Sequence, residues 1–314
     1  MKRNLISLLD ITKEEFFTIL DLAARLKAER RAGTFQSYLN CQSLGMIFEK
    51  SSTRTRISFE VGMYELGGTA LFLSPDDMQI GRGESIADTA RVMSRFVSAV
   101  MIRAFSHETI EEFARYASVP VINGLSDREH PCQILADVMT IREHFEVLDS
   151  LRVAWIGDGN NVCHSIILSA IYTGYEVRIA CPRGFMPDTA VIESAQARGA
   201  QIVLCDTPAD AAKDADVVIT DTWVSMGDEQ EEEVRRKIFK PYQINAELMG
   251  FAKPGAIVLH CLPAHRGDEI TDEIMDGSQS AVWDEAENRL HAQKALILWI
   301  LNISPRREEA GRPH

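Results

Sequence analysis

The sequence predicts an α/β fold of two doubly wound domains, each a mainly parallel sheet flanked by helices, joined by long bridging helices. Three observations carry this. Short apolar runs alternate with amphipathic segments along nearly the whole chain, as in a parallel sheet covered by helices. The alternation falls into two series, separated by one long helical pattern from Pro131 to Leu148. The chain has 314 residues, long for one core and enough for two domains that each bury a sizeable interior.

In the first series, Leu44 to Phe48, Ala70 to Leu73, Ala99 to Ile102 and Val119 to Ile122 read as buried strands. Helical stretches lie between them at Thr55 to Leu66, Ser85 to Phe96 and Glu108 to Tyr116. The second series runs through Arg152 to Ile156, Glu176 to Ala180, Gln201 to Cys205, Asp216 to Thr220 and Ala256 to Leu259. Ligands of such sheets sit beyond the carboxyl ends of the strands. The acidic run Asp228 to Glu233 opens a helical pattern, where carboxylates complement the helix dipole. The end of the chain, Pro305 to His314, reads as a polar tail.

Composition narrows the function. A hydrophobic fraction of 46% and a charged fraction of 25% are ordinary for a globular protein. Acidic residues number 46 and basic ones 33, a net charge of −13, which argues against a nucleic-acid partner. No apolar run is long enough to span a bilayer. The amino-terminal residues lack a secretory or transit pattern, so a cytoplasmic setting is expected. The six cysteines are scattered without a CxxC pair, so they read as reduced thiols, with neither a disulfide framework nor a metal site expected. An acidic protein that binds a phosphate must concentrate its arginines locally.

One place does so. After the strand ending at Phe48 comes Glu49-Lys50-Ser51-Ser52-Thr53-Arg54-Thr55-Arg56, then an amphipathic helix. The first amides of a helix have no internal partners and point free donors outward. Hydroxyls add short donors, and arginine adds a planar fork suited to phosphate. A helix cap would explain one hydroxyl but not two arginines. An anion site explains both.

Further polar residues fall on the same side of the first sheet. Arg103 ends a strand, and His130-Pro131-Cys132-Gln133 opens the long helix, with Pro suited to its first turn. Gln79 lies in the loop Asp76 to Ser85. In the second series, Gly157-Asp158-Gly159-Asn160-Asn161-Val162 joins a strand to a helix. It fails as a dinucleotide fingerprint, because Val162 stands at the third glycine position and the next strand ends at Cys181-Pro182 without a ribose-binding acid. No P-loop is present. The same turn can present Asn161 to a small polar ligand. Asp221-Thr222-Trp223-Val224-Ser225-Met226-Gly227 follows another strand, where Asp and Ser also serve as turn or cap residues. Cys261 in His260-Cys261-Leu262-Pro263 could by itself be a small apolar residue.

Together these segments resemble the aspartate and ornithine carbamoyltransferases, over essentially the whole chain from Ser52 to Arg289. The carriers are Ser52-Thr53-Arg54-Thr55-Arg56, Gly83-Glu84-Ser85 to Thr89, His130 to Gln133, Asp221 to Gly227, His260 to Pro263 and Glu287-Asn288-Arg289. Cys132 falls at a position of that pattern to which no role attaches. The resemblance implies a carbamoyl phosphate site made of Ser52, Thr53, Arg54, Thr55, Gln79 from a neighbouring subunit, Arg103, His130, Gln133, Cys261, Leu262 and Arg289. Arg54, Thr55, Arg103, His130 and Cys261 would be catalytic. The Asp221 to Gly227 motif is that of the ornithine enzymes, with Asn161, Asp221, Ser225 and Met226 holding the amino acid.

The chemistry agrees, since Asp221 suits an α-ammonium and would repel an aspartate acceptor. The implied domains are a carbamoyl phosphate-binding one at 1–135, an ornithine-binding one at 136–288, and a carboxyl-terminal helix returning to the first domain, with a polar tail, at 289–314. The implied reaction needs no cofactor and gives citrulline and phosphate, in arginine biosynthesis or, reversed, in arginine breakdown. A homotrimer or assembly of trimers is implied. Alternatives are a carbamoyltransferase acting on putrescine or N-acetylornithine, or a non-catalytic protein of the same fold, although the latter predicts a damaged site.

Overall fold

The computed structural model describes residues 2–74, 78, 83–224 and 232–303. Among the described residues, nine strands form two parallel sheets. The first contains β1 (Ser43–Phe48), β2 (Thr69–Leu73), β3 (Ala99–Arg103) and β4 (Val121–Leu125), in the order β2-β1-β3-β4. The second contains β5 (Arg152–Ile156), β6 (Glu176–Ala180), β7 (Gln201–Leu204), β8 (Val217–Thr220) and β9 (Ile257–His260), in the order β7-β6-β5-β8-β9. The helices, in chain order, are α1 (Lys13–Arg31), α2 (Thr53–Glu65), α3 (Ile86–Met93), α4 (His107–Tyr116), α5 (Pro131–His144), α6 (Asn161–Thr173), α7 (Thr189–Ala197), α8 (Pro208–Ala212), α9 (Glu232–Phe239), α10 (Ala246–Met249), α11 (Asp272–Met275) and α12 (Val282–Ile300).

Every strand expected from an apolar run is present. The central strands of each sheet are covered on both faces, which is why their runs are nearly continuous, whereas the edge strands β2 and β7 are largely exposed. In β5, Val153 and Trp155 enter the large core shared with the bridging helices, while Ala154 and Ile156 enter a second core on the opposite face. In β3, Ala99 and Met101 divide from Val100 and Ile102 in the same way.

Some boundaries differ from the sequence expectation. β4 starts at Val121, because Pro120 has no N–H to give the ladder; its carbonyl accepts from Val100. α5 stops at His144, where Phe145 turns extended and caps Ile141. The carboxyl-terminal helix begins at Val282, so Arg289 lies within it.

α1 precedes the first strand and has no counterpart among the helices expected from the sequence. Thr12 and Glu15 close a reciprocal capping box at its start. Phe16, Ile19, Leu20, Ala23 and Leu26 form its buried stripe. α1, α5 and α12 then share a polar seam. The Lys27 ammonium lies 2.7 Å from both Glu143 Oε1 and Asn288 Oδ1, and Asn288 also donates to Thr140 Oγ1 at 2.9 Å. A buried lysine is tolerated only with such partners.

Candidate active site

Strand order reverses between β1 and β3 in one sheet and between β5 and β8 in the other. At such a reversal neighbouring connections leave to opposite faces and open a crevice beyond the strand ends. Phe48 pairs with Arg103 in register, so the loop before α2 emerges beside the Arg103 side chain. Trp155 pairs with Ile219, so the turn before α6 emerges beside Asp221. The two crevices face one cleft of about 790 Å³, lined among others by Ser52, Arg54, Arg103, His130, Asn161, Asp221, Cys261 and Arg289.

One wall is built for an anion. Ser52 caps α2: its hydroxyl accepts from the Thr55 N–H at 3.2 Å and donates to Thr55 Oγ1 at 3.0 Å. This fixes the first turn, with Thr53 and Arg54 at its open end. Arg103 and Arg289 are buried behind it. Among the described residues no carboxylate forms an ion pair with Arg54, Arg103 or Arg289, and the Nε atoms of Arg103 and Arg289 have no hydrogen-bond partner. Arg289 is held only by neutral groups, donating to Gln133 Oε1 at 2.6 Å and to Thr55 Oγ1 at 3.3 Å. Burial, with Arg289 and Arg54 nearby, lowers Arg103 to about 10. Buried cations without counter-ions are costly. Three guanidinium groups on one wall, with no carboxylate paired to them among the described residues, suit that wall to an anion.

His130 shares this wall. Burial first, then Arg289, Arg103 and Arg54, hold its imidazole well below the usual range, so it is neutral at pH 7. Its backbone N–H is anchored on Ser165 Oγ at 2.8 Å, while the buried Nδ1 has no partner. A neutral ring with a free polar edge can donate to a developing oxyanion.

The opposite wall centres on Asp221. Its carboxylate accepts from Asn160 Nδ2 at 2.8 Å, the Thr222 N–H at 2.7 Å and the Cys261 thiol at 2.9 Å. Burial, then Asp221, push Cys261 well above the usual thiol range, so it is a protonated donor. Leu262, at φ 58°, donates its N–H to His260 Nδ1 at 2.9 Å. His260 Nε2 must then carry the proton that faces Glu269 Oε1 at 3.1 Å. That ring fixes the backbone turn next to Cys261. Asp221, His260 and Cys261 place ligand-type atoms within 4.8 Å of one another, but these atoms are already engaged in the hydrogen bonds just given.

Two glycines shape the turn before α6. Gly157 has φ 145°, and a Cβ on Gly159 would lie 2.2 Å from Pro187 N, so neither position accepts a side chain. Their spacing serves chain packing. Asn160, which sequence reasoning named only as part of the turn, caps α6 and orients Asp221. Its signal was an Asn immediately before a helical pattern. Asn161 reaches across the cleft and donates to the Ser126 carbonyl at 2.6 Å.

The structure thus brings Ser52, Thr53, Arg54, Thr55, Arg103, His130, Asn161, Asp221, Cys261, Leu262 and Arg289 to one cleft. Gln133 is not on its surface. Its amide is turned away, toward Arg289, Asp137 and Glu285. Gln79, Ser225 and Met226 lie outside the described residues.

Comparison with known proteins finds two family domains along the chain. Residues 3–143 match the family domain described as aspartate/ornithine carbamoyltransferase, carbamoyl-P binding domain, and residues 149–300 match the Asp/Orn binding domain of the same family. The ornithine carbamoyltransferase of Methanospirillum hungatei is 62% identical over 96% of this chain and 100% of its own length. That of Archaeoglobus fulgidus is 54% identical over 95% of this chain and 97% of its own. The solved ornithine carbamoyltransferase of Pyrococcus furiosus superposes with a TM-score of 0.92 at 50% identity, covering 96% of this chain and 97% of that one.

Proposed function

The chain belongs to the aspartate/ornithine carbamoyltransferase family, and from this premise and its cleft we infer that it transfers the carbamoyl group of carbamoyl phosphate to the δ-amine of L-ornithine, giving L-citrulline and phosphate. The single observation that carries the reading is the pairing of an unneutralised arginine wall with a fixed, buried carboxylate across one cleft. The first suits a phosphate and a polarised carbonyl, the second an α-ammonium.

In this reading the open turn at Ser52, Thr53 and Thr55, with Arg54, binds the phosphate. Arg103, His130 and Arg289 surround the carbamoyl group, Gln133 acts on it through Arg289, and Leu262 closes over it. Asp221 pairs with the α-ammonium, and Asn161 holds the carboxylate. Ser225, Met226 and Gln79, the last from a neighbouring subunit, remain assigned by resemblance. The neutral δ-amine attacks the carbamoyl carbon, the tetrahedral oxyanion is stabilised by Thr55, Arg103 and His130, and phosphate leaves toward Arg54 and the α2 amides.

The amine must first lose a proton. At pH 7 that costs about 4 to 5 kcal/mol for a group titrating near 10.4. Cys261 is already protonated, so its thiol supports the site as a donor beside the amine. Asp221 and the departing phosphate are the groups left to receive the proton.

Phosphate release, assayed with ornithine, putrescine, N-acetylornithine and aspartate side by side, tests the acceptor. Ornithine should exceed each of the others by about 10²-fold or more in kcat/KM, because a misplaced or missing charge leaves buried polar groups unpaired. Equal rates with putrescine would overturn the assignment.

We also propose that the chain works as a homotrimer or an assembly of trimers, in the cytoplasm, in arginine biosynthesis or, reversed, in arginine breakdown. Exposed Ile57 and Tyr64 on α2 and Leu71 and Phe72 on the edge strand β2 support self-association of that face. The six free cysteines suit a reducing compartment. Light scattering should give the mass of three chains or a multiple; a fully active monomer would contradict the assembly.

A further inference from the structure

Behind the cleft two carboxyl groups meet in the dry interior. Asp137 of α5 and Glu285 of α12 are each 1% exposed. The amide nitrogen of Gln133 lies 2.8 Å from Asp137 Oδ1 and 2.7 Å from Glu285 Oε1, so one NH2 group serves both. Among the described residues neither carboxyl has an ion-pair partner, and the buried Asp137 Oδ2 accepts no hydrogen bond from an N–H or hydroxyl donor. Two like charges held this close without a counter-ion cannot both persist. A proton between them removes the repulsion and gives Asp137 Oδ2 its donor.

We propose that Asp137 and Glu285 hold one proton between them, and that this pair positions the groups assigned to both substrates. On one side the pair holds the Gln133 NH2 group, which turns Gln133 Oε1 toward Arg289. On the other, Glu285 Oε2 accepts the His260 N–H at 2.8 Å and so fixes the end of β9 next to Cys261. The positioning role rests on the function proposed above; the shared proton does not.

The surroundings are consistent. Burial pushes Asp137 up to about 7, and burial followed by the charge of Asp137 pushes Glu285 well above the usual carboxyl range. The charged or titratable groups facing the pair are Arg289 from α12, Asp221 beyond β8, Cys261 beyond β9, His260 through its backbone, and Tyr175. Arg289 is the one cation among them. It favours keeping one negative charge on the pair and cannot neutralise two.

Asp137→Asn is the informative variant. Its amide supplies a permanent N–H where the proton sat and leaves Glu285 ionised, so charge and hydrogen bonds are both preserved. Infrared difference spectra of the unliganded protein in mildly alkaline buffer should show a protonated carboxylic acid in wild type that is lost in Asp137→Asn. Asp137→Asn should keep the carbamoyl phosphate KM within about threefold, whereas Asp137→Ala should raise it about tenfold, the cost of one lost charge-assisted bond. If Asp137→Ala does not fold, the infrared comparison still decides. The absence of the acid band, or Asp137→Asn as damaged as Asp137→Ala, would overturn the proposal. An inactive wild type with the band intact would instead refute the proposed reaction.

Discussion

Arg54→Ala is expected to lower kcat by about 10²- to 10³-fold, the usual loss when one preorganised charge-stabilising donor is removed. Arg54 stands in the first turn of α2, whose start is fixed by the Ser52 cap. Carbamoyl phosphate carries its negative charge before, during and after transfer, so part of the arginine's effect is uniform binding and appears in KM. The leaving phosphate gains further charge as the C–O bond breaks, and that increment is felt in kcat. Arg103 and Arg289 do not substitute, because both are buried behind the turn and Arg289 is committed to Gln133 and Thr55. Arg54→Lys should recover only part of the loss, since a point charge lacks the planar fork. Steady-state rates with saturating ornithine measure this; a near-normal kcat in Arg54→Ala would remove the loop from the mechanism.

Asp221→Ala is expected to weaken ornithine binding by about 10²-fold or more, the scale for truncating one partner of a buried charge pair. Carbamoyl phosphate should bind nearly as before, because Asp221 faces it from the opposite wall. A calorimetric titration of each ligand separates the two effects. The same variant should also change Cys261. Asp221 pushes that thiol upward and accepts its hydrogen bond, so its removal brings the thiol closer to its ordinary range and raises the thiolate fraction at a given pH. Alkylation of Cys261 should therefore accelerate as ornithine affinity falls. Unchanged ornithine affinity would refute the role of Asp221, whatever happens to the thiol.

The sheets and the cleft were legible in the sequence because both depend on local pattern. Strands buried on two faces are apolar throughout, and a hydroxyl-rich, arginine-bearing turn after β1 has few other uses. The reversal points of the two sheets then explain why residues as distant as Ser52, Asp221 and Arg289 share one site. Three features were not legible. The long α1 carries an ordinary amphipathic stripe, whose importance comes from the seam its Lys27 makes with Glu143 and Asn288. Asn160 and Asn161 are neighbours with similar side chains, and only the fold reveals that one orients Asp221 while the other bridges to Ser126. Gln133 stands in the expected motif but acts behind the wall, held by Asp137 and Glu285, which are far apart in sequence. Partners of buried polar groups are set by tertiary packing, and a single sequence carries no signal for them.

The most direct test of the whole account is a crystal structure with carbamoyl phosphate and norvaline, an ornithine lacking the reactive δ-amine. The phosphate should lie on the Ser52 to Thr55 turn against Arg54, with the carbamoyl oxygen toward Thr55, Arg103 and His130. The norvaline ammonium should meet Asp221, and its side chain should point at the carbamoyl carbon beside Cys261. A phosphate bound away from that turn, or an amino acid whose ammonium avoids Asp221, would contradict the account.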